Sequence, residues 1–342
     1  MTTTYIYPTS SELMMIERDK LPRLTQNRPI FEILPIKMVD SHLLLWEQLD
    51  NIIGLQQVRG LNGAPLGVNA LGGKSYEGQP GVYGEFLPID EIKLTARRQW
   101  GSYNKPVDIT DLVMEAQDQL LERRLNRIEY NGWRILVDGT FSALGHEGQV
   151  LHTDTYTLQS FTANVKWSAP ATATPLADLR QIQIKARGHS VNFGRQAKIY
   201  MNQVTFNYMV ANTNTADLYG RRVTGLATIN SQSQMNELMT MDNLPNIVIY
   251  EEGYYDSTNT FQLYLADGEA VVVGVRQTGV PIGNYQMTRN ANNADMAPGP
   301  YMRVIDNLEI SMPRRIEIHD GRPNVIAVAK SRCIGGTLFS LN

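Results

Sequence analysis

The segment 108–138 contains no proline and no glycine before Gly132. Ile109, Leu112, Val113, Ala116, Leu120 and Leu121 recur three or four residues apart, and Leu125 and Ile128 extend the series, so one helical face is apolar. Asp108 supplies a cap, Asp111 stands near the positive helix end, and Gly139 closes the pattern. At about 1.5 Å per residue the helix is roughly 35–45 Å long, far above the average of about 11–12 residues. A helix of that length spans a whole domain, so the chain must be built around it. Leu112, Ala116 and Leu120 are expected inside. Asp118, Glu122, Arg123, Arg124 and Arg127 are read as lying off that face, toward solvent or neighbouring subunits.

The remaining segments mix helices and strands, which gives an α+β class. A short helix is expected over 11–20, capped by Ser11 and stopped by Pro22, in an arm with no core of its own. The stretch 36–55, with Leu43, Leu44, Leu45, Trp46 and Leu49, reads as helical or docking. Between Gly54 and Gly84 lie nine of the chain's 27 glycines, followed by a strand-like pattern over 85–100; such a run suggests a long loop or two-stranded arm. A hairpin over 140–158 turns around Gly145 and Gly148. The connector 167–175 leads into a helix that begins at Pro175 behind Thr174 and ends near Gly188. A strand at 197–201, a helix at 203–212 and strands at 247–250, 261–265 and 270–275 follow, the last two joined at Asp267-Gly268. Residues 281–300 are irregular. Strands at 314–318 and 325–330 are expected on either side of Asp320-Gly321.

Charge and composition narrow the function. Charged residues make up 19% of the 342, against roughly 25% in ordinary soluble proteins, and arginine outnumbers lysine 22 to 9. Arginine is enriched and lysine depleted where protein surfaces meet, so both features favour a chain that buries surface against partners. A net charge of −3 does not make the basic stripe that nucleic-acid binding needs. The single cysteine, Cys333, excludes a disulfide framework within the chain and a multi-cysteine zinc site. No stretch approaches the ~20 apolar residues of a membrane span, and residues 1–10 do not read as a signal peptide.

Candidate chemistry fails on spacing. Gly72-Gly73-Lys74-Ser75 resembles the end of a phosphate-binding loop, but position 68 is valine where the motif needs glycine. His146-Glu147 opens like a zinc-protease helix, yet the second histidine position holds Val150. His42, His189 and His319 are scattered, no serine sits in a nucleophile elbow, and Cys333 reads as a small buried hydrophobe. No catalytic, cofactor or metal residue is assigned, and a structural protein is expected rather than an enzyme.

The order of elements resembles the major coat protein of tailed bacteriophages, in the lambda-type family with the Hong Kong 97 capsid fold. The Gly-rich run 54–84 with strand 85–100 is similar to its extended loop, and 108–138 to its spine helix. The string WSAPATATPLADL at 167–179, the strand KIYM at 198–201 and PNIVIYEEGYYD at 245–256 stand where that family's second half would place them. The resemblance implies an N-terminal arm and docking segment at 1–53, an extended loop at 54–105 and a peripheral domain with the spine helix at 106–170. It further implies an axial domain at 171–305 and a C-terminal return to the peripheral domain at 306–342. It implies self-association into pentamers and hexamers of an icosahedral phage head around double-stranded DNA, assembled in the host bacterial cytoplasm. A separate scaffolding protein, a portal protein at one vertex and a possible decoration protein are the implied partners. Lys74, Arg97, Arg98, Arg123, Arg124 and Arg127 are the candidate contacts between subunits. An encapsulin-type shell, a tail structural protein and an enzyme with an unmarked site stay open as alternatives.

Overall fold

A computed structural model describes residues 7–40, 44–49, 55, 58–59, 61, 63–64, 73–78, 81–90, 92–93, 109–144, 149–156, 161–185, 187, 191–222, 229, 231–276, 283–289, 298–307, 315–328 and 334–338. The first helices are α1 (Ser10–Thr25) and α2 (Pro29–Ile33), followed by strands β1 (Ile36–Met38), β2 (Leu44–Leu49), β3 (Gly73–Gly78) and β4 (Gly81–Ile89). Helix α3 (Ile109–Asp138) is the expected strut. It leads into the hairpin β5 (Thr140–Leu144) and β6 (Val150–Thr155), then α4 (Pro175–Lys185), β7 (Val191–Asn192) and β8 (Lys198–Met201). Helices α5 (Gln203–Val210), α6 (Thr213–Arg222) and α7 (Gln232–Met241) precede β9 (Asn246–Ile249), β10 (Gly253–Tyr255), β11 (Phe261–Leu263), β12 (Glu269–Val273) and β13 (Val275–Arg276). The chain closes through β14 (Gly283–Met287), β15 (Tyr301–Asp306), β16 (Ile316–Val328) and β17 (Ile334–Leu338).

Two apolar cores lie along α3. Its N-terminal half, from Ile109 to Leu120, packs with Leu13 of α1 and with Ile89, Met302, Ile316 and Ile318 of the first sheet. That sheet runs β1-β14-β16-β15, with β4 also paired to β16. The C-terminal half, from Leu121 to Val137, belongs to the larger core built around the second sheet, β17-β12-β8-β9, and helices α4 to α7. A helix of about 45 Å thus links both cores. Gly132 lets α2 approach: a β-carbon there would stand 2.6 Å from Ile30 Cγ1. Gly139, at φ +70°, ends the helix in the left-handed conformation that glycine adopts freely.

The connector 167–175 is fixed by polar bonds rather than by regular structure. Trp167 Nε1 donates to Asp178 Oδ2 at 3.0 Å, and Asn212 Nδ2 donates to the carbonyls of Pro170 and Ala173 at 2.9 and 2.8 Å. Burial raises the Asp178 pKa, and the bond from Trp167 opposes that rise.

Several expectations are corrected, among them the irregular stretch at 281–300, where Gly283–Met287 forms β14 between β1 and β16. Helix α1 starts after Thr9, whose side chain forms a capping box with Glu12, and it runs through Pro22 to Thr25. Buried Leu13 and Glu17 hold it to the body, outweighing the proline. Residues 44–49 form a strand, because they pair with Gly73–Gly78 of the glycine-rich run. The strand expected over 85–100 begins at Gly81 and ends at Ile89, where the Asp90 side chain accepts the backbone N–H of Lys93 at 3.1 Å and turns the chain. Residues 261–263 pair with β10 in a separate hairpin, not with β12. Asp320-Gly321 is no turn: β16 runs through it, paired with β15 on one edge and β4 on the other. The Gly145 and Gly148 turn, the Asp108 cap and Cys333 lie outside the described residues.

Candidate functional site

Among the described residues, three buried or partly buried ionic stations along α3 fasten distant segments to it. At the first, Arg124 is 4% exposed. Its Nε and Nη2 donate to the two oxygens of Asp320 on β16 at 2.9 and 2.8 Å, a bidentate pair. Its Nη1 donates to Glu17 of α1. One guanidinium therefore joins α1, α3 and the first sheet. Burial alone would lower the Arg124 pKa, but the two carboxylates outweigh it and the net shift is upward. The sequence reading had turned Arg124 outward. The correction follows from its place four residues after Leu120 and four before Ile128, on the ridge that the apolar residues define.

At the second station, Glu129 is 1% exposed. It accepts the Tyr250 hydroxyl, Trp133 Nε1 at 3.4 Å and Arg28 Nη1 at 3.1 Å. Burial raises the Glu129 pKa, and these three donors oppose the rise. Burial and the adjoining carboxylate push the Tyr250 hydroxyl up as well. At the third, Arg134 Nη2 donates to Glu269 Oε2 at 2.9 Å and to the carbonyl of Tyr264 at 2.7 Å. These residues escaped the sequence reading because, Trp133 apart, their partners lie 101 to 135 positions away. Their only local signal was charge among the apolar positions of α3.

A cleft of about 260 Å³ opens beside the second station, lined in part by Arg23, Asn27, Arg28, Asn126, Tyr250 and Glu252. Its buried carboxylate already accepts three donors. That arrangement holds α3, the start of α2 and the end of β9 together. Among the described residues no cluster of three or more His, Cys, Asp or Glu is arranged to hold a metal. No helix among them is long and apolar enough to cross a membrane.

The other candidate contact residues are dispersed. Arg123 is exposed and forks onto Glu85 of β4 at 2.7 and 3.0 Å. Arg127, also exposed, lies over the Tyr130 ring at 5.7 Å. Lys74 sits in β3, its backbone opposite Gln48. Arg97 and Arg98 lie outside the described residues.

A family model described as phage major capsid protein E matches residues 18–317. No match was found among curated protein sequences. Among solved structures, the chain is similar to a protein assigned as a prophage capsid protein of Escherichia coli CFT073. The TM-score is 0.60 at 12% identity, over 98% of this chain and 100% of that one. A phage-related protein from Bordetella bronchiseptica RB50 gives a TM-score of 0.55 at 10% identity, over 97% and 98%. The capsid of a native GTA particle gives 0.50 at 10% identity, over 92% and 90%. At such identities the likeness establishes the fold.

Proposed function

This chain belongs to the phage major capsid protein E family and has the Hong Kong 97-type capsid fold, and from that premise we propose that it forms the pentamers and hexamers of an icosahedral phage head. A major capsid protein assembles with copies of itself into the shell of the virion. The finer reading is that this shell closes around a double-stranded DNA genome. The observation that carries it is the family match over residues 18–317, which takes in the long helix and most strands of both sheets. The ionic stations support a mechanical role. They tie α1, the first sheet and the Tyr264–Glu269 turn to one strut, so that a subunit can transmit load without shearing.

On this reading the protein acts as a structural element and not as an enzyme. Assembly takes place in the host bacterial cytoplasm, with a separate scaffolding protein and a portal protein at one vertex as partners. Expression with and without the scaffolding protein, followed by sedimentation and electron microscopy, tests the proposal. Closed icosahedral shells are the expected product when the scaffolding protein is present, and shells isolated from phage particles should contain DNA. Helical tubes would identify a tail protein instead, and shells enclosing a cargo enzyme an encapsulin-type compartment.

A further inference from the structure

An edge strand presents outward N–H and C=O groups on which another chain can add a strand. Among the described residues, β9 stands at one end of the second sheet. It reads Asn-Ile-Val-Ile, three β-branched residues without a charge, the composition of an aggregation-prone edge. Its inward groups are used on the β8 side: the Asn246 N–H donates to the Ala197 carbonyl at 3.0 Å and the Tyr250 N–H to that of Met201 at 2.9 Å. The groups of Ile247 point the other way, toward α7.

There the Asn236 side chain satisfies both of them. The Ile247 N–H donates to Asn236 Oδ1 at 2.7 Å, and Asn236 Nδ2 donates to the Ile247 carbonyl at 3.0 Å. Gln232, one turn earlier on the same helical face, donates Nε2 to that carbonyl at 2.8 Å. A side-chain amide offers the same donor and acceptor as a peptide group. Asn236 therefore fills the place that a peptide of an added strand would take. Docking of α7 does not require it, because Met235, Leu238 and Met239 already anchor the helix in the core, each at 0% exposure.

We propose that Asn236, helped by Gln232, is an edge stop that keeps β9 from recruiting a strand of a second copy. Copies are thereby confined to contacts that close a shell; this last clause rests on the proposed capsid function, whereas the stop itself does not.

The test compares three variants with the wild-type chain. Asn236→Leu removes the amide at similar volume and leaves the outward N–H and C=O of Ile247 without that partner. Asn236→Lys also loses the amide pairing but leaves a charge at the edge, which blocks strand addition. Met239→Ala loosens the same helix without touching the edge. Each thermal midpoint is measured first. Irregular aggregate is then scored below all midpoints by sedimentation and by the infrared signature of intermolecular strands. Asn236→Leu should yield roughly tenfold more such aggregate than wild type, while Asn236→Lys and Met239→Ala stay near the wild-type level. Aggregation that follows the loss of thermal midpoint in all three, or an Asn236→Leu chain as clean as wild type, would overturn the proposal. Shells are counted separately by microscopy, so failure of the capsid reading is distinguishable from failure of the edge stop.

Discussion

Replacing Arg124 with alanine removes the cation shared by two buried carboxylates, Glu17 at 3% and Asp320 at 9% exposure. Removing one partner of a buried ion pair costs about 3–5 kcal/mol, because the charge left behind stays out of water without compensation. Here two carboxylates lose their shared cation and the packing of the arginine stem is lost as well, which places the expected loss in the upper part of that range, about 4–5 kcal/mol. Domains have only about 5–15 kcal/mol in total, so the variant subunit should lie near its folding threshold. Urea unfolding of unassembled subunits, followed by circular dichroism at several pH values, measures the loss. The sign with pH is fixed. In the variant these carboxylates hold protons more tightly folded than unfolded, so its stability should recover as pH falls. Glu17→Met, Arg124→Met and Asp320→Leu combined should restore most of the loss, since replacing a whole buried ionic group by well-packed apolar side chains of similar volume is often neutral or stabilising. An Arg124→Ala subunit within about 0.5 kcal/mol of wild type, the range of an exposed pair, would refute the buried triad.

Arg123→Ala, one residue away, removes an exposed pair with Glu85 and should change subunit stability by less than about 1 kcal/mol in the same urea assay. Gly132→Ala gains up to about 1 kcal/mol of helix propensity, but the new methyl meets Ile30 at 2.6 and 2.9 Å. Overpacking costs about 1–3 kcal/mol, so the thermal midpoint should fall, and a rise would show that α2 can retreat. The buried Glu129 carboxyl is held above its ordinary 4.5, chiefly by desolvation. The folded state therefore keeps its proton to higher pH than the unfolded one, and stability should decline as pH rises from 4.5 through the raised value. Glu129→Gln should flatten that part of the pH–stability curve, and an unchanged slope would contradict the assignment.

What the sequence disclosed and what it hid divide along physical lines. Helix α3 was legible because its apolar spacing persists over many turns, and α4 because Pro175 and the connector before it punctuate the chain. Strands 198–201, 246–249 and 269–273 were legible from their apolar runs, whereas strands that exist only through pairing were not. Residues 44–49 and 73–78 become strands only against one another, and Asp320-Gly321 reads as a turn until neighbours on both sides hold it straight. The ionic stations were hidden for a related reason. A charge on an apolar ridge, such as Arg124, looks like an irregularity until Glu17 and Asp320 arrive from 107 and 196 residues away. The edge stop at Asn236 has no local signature either, since an asparagine in a helix acquires its meaning from Ile247 beside it.

A closed shell is what the capsid reading requires of this chain, and cryo-electron microscopy of the purified protein, expressed with the proposed scaffolding protein, shows whether it forms. Icosahedral particles should result, with α3 a straight rod in every subunit and the subunits grouped in rings of five and six. Monomers that persist at high concentration with the scaffolding protein present, or open helical tubes, would contradict that reading.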